Sequence, residues 1–376
     1  MPHSRPSLLE YPLLIPILLF CMSSHFSFRS PCVFCFSDVL TSGIWSDAAA
    51  LEDLLLRSLV PDLLDLQLGS RAPSTLTRYK SGWLRWRGWA SSKIGVPVLP
   101  AKPLHIALFI TELTNVCLAN NTGVSPIETV VYGIKWAHSI MALLEVCPVN
   151  HPLVKSSLEG AKRKLARPVR PKEPLSVDTV QAIADFYVSS NSLATLRFLF
   201  ILLVGFYGFF RIDEINSFCL RDVTIKADHM SIYVAKRKND QYREGHTSCL
   251  VRSGQSTCPV SITERIIKVL SQSNPSFPLV RRIVRSKSGE YFHASKGVSI
   301  STLREEFKKY IQPFVDDVAK YGTHSMRSGA ASNPACRRIP GDLLDMHAVW
   351  RCPSSKNRYI KHTMGDRLSV SKSLLL

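Results

Sequence analysis

The chain has 376 residues, 45% of them hydrophobic, with 47 Lys and Arg against 29 Asp and Glu, a formal net charge of +18. That length favours two domains or one large one over a single small core, and the apolar share removes any dependence on metal or disulfide staples. So large a cationic excess excludes an ordinary neutral surface and draws polyanions, nucleic acid or anionic lipid, without choosing between them.

The chain opens on "YPLLIPILLFCM", an apolar run of signal-peptide length after Arg5. Pro12, Pro16 and the lack of a clean small-residue cleavage site argue against a secretory leader, so residues 1–48 are set apart as an extension. Cys32 and Cys35 form a lone CxxC with no second pair at zinc-ribbon spacing, and no metal is expected there. The ten cysteines are scattered without a compact framework, which fits a reduced compartment.

Residues 49–166 read as an all-helical domain. In "APSTLTRYKSGWLRWRGWA", Ser74 is the expected N-cap, and Tyr79, Trp83 and Trp86 fall on one face at spacings of four and three. Arg78, Lys80, Arg85 and Arg87 take the other positions, as a solvated face or as phosphate contacts. Pro103 opens another helix, and Pro126 lies in "SPIE", where Ser125 and Glu128 predict a capping box. The segment "HPLVKSSLEGAKRKLAR" ends on Lys162, Arg163 and Lys164. Next, "RPVRPKEP" (167–174) holds three prolines and three bases, Arg170 among them, and reads as a stiff linker attractive to phosphate.

Residues 175–376 begin with helices at Ser176 and Ser192. The run "FLFILLVGFYGFF" (198–210) between Arg197 and Arg211 would span about 20 Å as a helix, short of the ~30 Å hydrocarbon core, so it reads as buried in protein and no membrane is expected as a partner. Ile232 and Val234 then alternate with polar neighbours before a basic turn, which predicts a hairpin. Helices resume at Ile262 and Leu303, followed by "GTHSMRSGAA" with Thr323 as cap, "GDLLDMHAVW" and "SSKNRYIKH".

Five places in this second half carry groups suited to phosphate chemistry: Arg211 with Glu214 as R-x-x-E, Lys238 at the hairpin tip, His324 with Arg327 as H-x-x-R, Trp350, and Tyr359 nine residues later. In that order, "FFRIDEI", "KRKNDQYREG", "THSMRSGAAS" and W-x8-Y, the sequence resembles the tyrosine recombinase (phage integrase) family over residues 50–376. It looks most like recombinases of eukaryotic mobile elements. The resemblance implies a mainly α protein with a small antiparallel sheet: an all-α, SAM-like core-binding domain followed by an α+β catalytic domain. It also implies double-stranded DNA as partner, a homo-oligomer joined through the C-terminal tail, a nuclear place of action and no cofactor.

The chemistry explains the residue types. Two guanidiniums, Arg211 and Arg327, suit the non-bridging oxygens of a phosphodiester, because the planar fork stays charged and bridges two oxygens. Tyr359 would attack to give a covalent phosphotyrosine, with His324 accepting its proton and Lys238 protonating the departing 5′ oxygen. Trp350 would donate its indole N–H to the phosphate and pack the tyrosine segment, and Glu214 would orient Arg211. Lys236 competes with Lys238, and His347 with Trp350. Other readings compatible with these residues are a DNA-binding derivative without activity, a type IB topoisomerase, and a secreted or membrane-surface protein if the leader is real.

Overall fold

A computed structural model describes residues 43–373, other than 142–146, 169–170, 236, 238–239, 241–243, 271–272, 288, 334–335, 337 and 363. The N-terminal apolar run, Cys32, Cys35, Arg170, Lys236, Lys238 and Pro334 lie outside the described residues. The chain divides into two compact units between residues 169 and 170.

The first unit is helical: α1 (Ile44–Ala49), α2 (Leu54–Gly69), α3 (Pro73–Ser91), α4 (Pro103–Ala119), α5 (Ser125–Met141) and α6 (Pro152–Lys164). Trp83 and Trp86 are buried on the face of α3 that the aromatic spacing predicts, with Trp86 donating to the Val98 carbonyl at 3.0 Å. Helices α3 and α5 cross at two glycines. A Cβ on Gly82 would lie 2.0 Å from the Thr129 carbonyl oxygen, and one on Gly133 would lie 2.6 Å from the Trp83 nitrogen. The crossing therefore brings backbone against backbone.

Two helix starts differ from the sequence reading. Ala72, not Ser74, is the N-cap of α3, because Pro73 takes the first helical position, where a missing N–H costs nothing. Ser125 does not cap α5: the Glu128 N–H bonds the Val124 carbonyl at 3.1 Å, and the Glu128 carboxylate pairs with Lys162 at 3.3 Å. The capping box gives way to a contact that ties α6 to α5.

The second unit is built around α8 (Leu193–Tyr207), which is buried without a break from Thr195 to Phe206. The remaining helices are α7 (Val177–Tyr187), α9 (Ile212–Ser217), α10 (Pro259–Val269), α11 (Ile300–Ile311), α12 (His324–Ser332), α13 (Gly341–Ala348), α14 (Pro353–Asn357) and α15 (Met364–Lys372). Ser176 and Ser192 cap α7 and α8 through the Thr179 and Thr195 N–H groups. Strands β1 (Val223–Ile225), β2 (His229–Val234) and β3 (His246–Val251) form an antiparallel sheet in that order, with Ile232 and Val234 buried as their alternation predicts. A second antiparallel pair, β4 (Arg281–Ser286) and β5 (Gly289–Gly297), has no counterpart in the sequence reading.

Arg197, which bounds the apolar run in the sequence, is itself buried. It reaches the Arg281 carbonyl at 2.6 Å and Glu306 at 2.5 Å, so α8, β4 and α11 are joined through one guanidinium. Small residues after Arg327 admit another backbone: Gly329 lies so close to Leu175 that a Cβ would sit 2.0 Å from its carbonyl oxygen, and the Leu175 N–H bonds the Ser325 carbonyl at 3.0 Å.

Candidate active site

The end of α8 supplies the first cation. Gly208 closes the helix, Phe209 adopts a left-handed backbone at φ 52°, and Arg211 leads into α9. Glu214, one turn on, accepts the Arg211 backbone N–H at 2.8 Å through one oxygen and its guanidinium at 2.9 Å through the other. Burial opposes the charge on Arg211, but the Glu214 carboxylate and the hydrogen-bonded Tyr359 side chain hold its pKa above the usual guanidinium value.

Helix α12 supplies the next two groups. His324 is its first residue and Arg327 its fourth, as the H-x-x-R reading requires, but the Thr323 side chain makes no cap bond. Instead the Gly322 N–H bonds the Ser325 hydroxyl at 3.1 Å, and Thr323 is buried. Arg327 is fully buried. Its guanidinium donates to the Phe209 carbonyl and, at 2.8 Å, to the Ala348 carbonyl, and its Cζ lies 4.9 Å from the centre of the Tyr359 ring and 5.1 Å from that of Trp350. Burial, with Arg211 nearby, lowers its pKa to about 10.

Trp350 follows Val349, a second left-handed residue at φ 51°. Such a conformation is rare for a β-branched residue and costs on the order of 1–3 kcal/mol. The turn delivers the Ala348 carbonyl to Arg327 and the indole to Tyr359, whose ring stacks on it at 6.0 Å and 28°. His347, the alternative to Trp350, bonds the Tyr207 carbonyl through Nε2 at 2.8 Å and packs on Phe209, so it anchors α13 to α8.

Tyr359 is held by its backbone. Its carbonyl accepts the Ser328 and Ser332 hydroxyls at 2.7 and 3.2 Å. The ring lies 6.3 Å from His324, and the hydroxyl end is within hydrogen-bonding reach of Arg211. His324 is exposed; partial desolvation, then Arg211, Arg304 and Arg327, lower its pKa, against a smaller opposing pull from Asp213. It is therefore neutral at pH 7 and able to accept a proton. Arg211, His324, Arg327, Trp350 and Tyr359 thus meet in one place, while Lys238 lies outside the described residues.

Two donors at this place are buried without an acceptor: Nε of Arg327 and Nε1 of Trp350. Each such group costs about 1–3 kcal/mol until something accepts from it. An anion between the arginines and the indole would supply the acceptor.

No family model matches the chain. It is 25% identical over 301 residues to the integrase/recombinase xerD homolog of Selenomonas ruminantium, across 78% of this chain and 82% of that protein. The chain is thus similar to a tyrosine recombinase over most of its length. The fold of this chain is similar to that of the XerH site-specific recombinase bound to a palindromic difH substrate, at 12% identity and a TM-score of 0.52, covering 80% of this chain and 78% of that one. It is also similar to the Tn1549 transposon integrase in complex with a circular intermediate DNA, at 13% identity and a TM-score of 0.50, covering 78% and 93%.

The basic residues of the first unit do not form one stripe. On α3, Arg78 and Arg85 are seven residues apart and share one shoulder, and Lys80 and Arg87 share another, roughly 160° round the helix at 3.6 residues per turn. Arg78 and Arg85 are exposed, whereas Lys80 and Arg87 are half-buried. On α6, Lys162 pairs with Glu128 and Arg163 with Glu159, while Lys164 is exposed. Sequence reasoning missed Asp213 and Arg304, which tune His324 from α9 and α11; no motif marks them.

Proposed function

We propose that this protein binds double-stranded DNA and cuts and rejoins its strands through a covalent 3′-phosphotyrosine at Tyr359. The meeting of two buried-side arginines, a neutral histidine and an indole about a single tyrosine carries this reading. The Tyr359 oxygen attacks the phosphorus, its proton passes to His324, and the bond from phosphorus to the 5′ oxygen breaks as the phosphotyrosine forms. Arg211 and Arg327 neutralise the non-bridging oxygens, each such donor being worth ~3–4 kcal/mol in comparable sites. Trp350 adds its indole N–H, and Lys238 is the proposed donor of a proton to the leaving 5′ oxygen. The reverse sequence, with a new 5′ hydroxyl as nucleophile, reseals the strand.

Exposed Arg78 and Arg85, with Lys164, are the proposed first-unit contacts to phosphate; Lys80, Arg87, Lys162, Arg163 and Arg170 complete the proposed DNA-binding set. The tail after Tyr359 carries α15, on which Met364 and Leu368 are exposed; this is the segment proposed to join copies on DNA. The order of motifs also supports a mobile-element type of recombinase.

The test is a pool of duplexes of randomised sequence, each with a nick that lets the short fragment bearing the new 5′ hydroxyl diffuse away after attack. Wild-type protein is expected to form adducts that survive detergent and to form none as Tyr359→Phe. Normal DNA binding without adducts from wild type would leave a DNA-binding derivative of a recombinase instead.

A further inference from the structure

Arg237 lies just beyond β2, and the reaction above gives it no task. It is 6% exposed. Its Cζ stands 5.6 Å from the centre of the Phe210 ring, and its Nη1 is 3.5 Å from the Ala348 carbonyl oxygen, the same oxygen that receives Nη2 of Arg327 at 2.8 Å. Two guanidiniums from different elements therefore converge on one carbonyl, and one of them rests on the residue before Arg211.

The bond to Ala348 uses little of this side chain. Nε and Nη2 of Arg237 are both buried with no acceptor. These two nitrogens share one edge of the planar group, and their parallel N–H bonds are spaced to meet two oxygens of a phosphate. Nε of Arg327 and Nε1 of Trp350 are unsatisfied in the same way. All three side chains touch Phe209, Phe210 or Ala348, so four unspent donors belong to one neighbourhood.

The surrounding charges do not explain such a cation. Burial lowers the Arg237 pKa, and Arg211 pushes the same way; Glu214 and Asp240 oppose them. Yet Glu214 gives both oxygens to Arg211, and Asp240 accepts the backbone N–H groups of Glu244 and Gly245 at 3.0 and 2.9 Å. His246, on β3, feels Arg237 as a further like charge. A neutral side chain would bridge to Ala348 at less cost.

We propose that Arg237 is a third guanidinium of the phosphate site, offering its Nε–H and Nη2–H edge to the non-bridging oxygens of the phosphodiester, an inference that rests on the strand-cleavage reading. The experiment uses a duplex recovered from the nicked pool, made once with an ordinary phosphodiester at the cleaved position and once with an uncharged methylphosphonate. Removing a donor aimed at developing charge slows such steps roughly 10²- to 10³-fold, so Arg237→Ala is expected to lose that much adduct rate on the phosphodiester and less than about tenfold on the methylphosphonate. Arg237→Lys, which keeps charge and stem without the two-pronged edge, serves where the alanine variant fails to fold; its loss is also expected to shrink on the neutral substrate. An equal loss on both substrates would make Arg237 a packing residue, and no loss would dismiss it; either overturns the proposal. Should wild type form no adduct on any duplex, the cleavage reading fails and inorganic phosphate decides the remainder. A rise in melting temperature with phosphate over chloride at equal ionic strength, kept in Lys268→Ala, an exposed base of α10, and lost in Arg237→Ala, supports the site, whereas a rise unchanged in Arg237→Ala refutes it.

Discussion

Glu214 performs two tasks with one carboxylate: it closes the start of α9 and fixes the direction of Arg211. Glu214→Gln keeps an acceptor for the backbone N–H but turns an amide toward the guanidinium. It should cost about 1–3 kcal/mol in urea unfolding and slow adduct formation as well. His138 offers a pH test that is independent of DNA. Its Nε2 accepts the Ala101 N–H at 3.0 Å and its Nδ1 faces the Ile134 carbonyl at 2.8 Å, which fixes the neutral ring. Burial lowers its pKa from 6.5, against the Ile134 carbonyl. The unfolded chain therefore takes up the proton first, and stability should be level above about pH 6.5 and fall as pH drops below it. His138→Gln should reduce that acid slope; His246 and His324, shifted the same way, contribute to it as well. R-x-x-E and H-x-x-R were legible because three-residue spacing puts both members on one side of a helix turn. Arg237 was not, since a base within "KRK" reads as part of a solvated tip.

At the scale of elements, glycine decides two close approaches. Gly82→Ala sets a methyl group 2.0 Å from the Thr129 carbonyl oxygen, and Gly329→Ala does the same against Leu175. Each is expected to destabilise by about 1–3 kcal/mol. Only Gly329→Ala should also reduce adduct formation, because α12 carries His324 and Arg327. The helices were readable from their apolar periods and prolines. The exact caps of α3 and α5 were not: a proline at the first position relieves Ser74 of its role, and Glu128 serves Lys162 instead. The β4–β5 pair was invisible because most of its residues are exposed, so no alternation of apolar and polar side chains is imposed on it.

At the scale of the whole molecule, the +18 charge and the buried cations make separate predictions. DNA affinity should fall steeply with salt, by about 10³-fold or more between 50 and 200 mM if 6–10 phosphates are contacted. The covalent step, measured at saturating protein, should respond far less. Tyr359 is tied by its own chain's Ser328 and Ser332 beside its own chain's Arg327, so each copy holds its tyrosine next to its own arginine. Mixing Tyr359→Phe with Arg327→Ala is therefore expected to yield no adduct, and restored activity would mean that the tyrosine is lent between copies. The run of prolines at 167–174 lies where the chain divides between residues 169 and 170, and the change of period after residue 220 falls where β1 to β3 begin. How the basic residues split over two shoulders of α3 was not legible, because it depends on which face the tryptophans bury.

The path of the chain between the two units has a mechanical consequence. Lys172, Glu173 and Leu175 are fastened to Ala319, Lys320 and Ser325, immediately ahead of and within the helix that bears the histidine and arginine. Slack added upstream of residue 171 would be absorbed before it reaches that anchorage, so extra glycines and serines there should be harmless to cleavage. A deletion between 172 and 175 would instead drag on α12 itself, and such a tether would behave as a lever, not a leash.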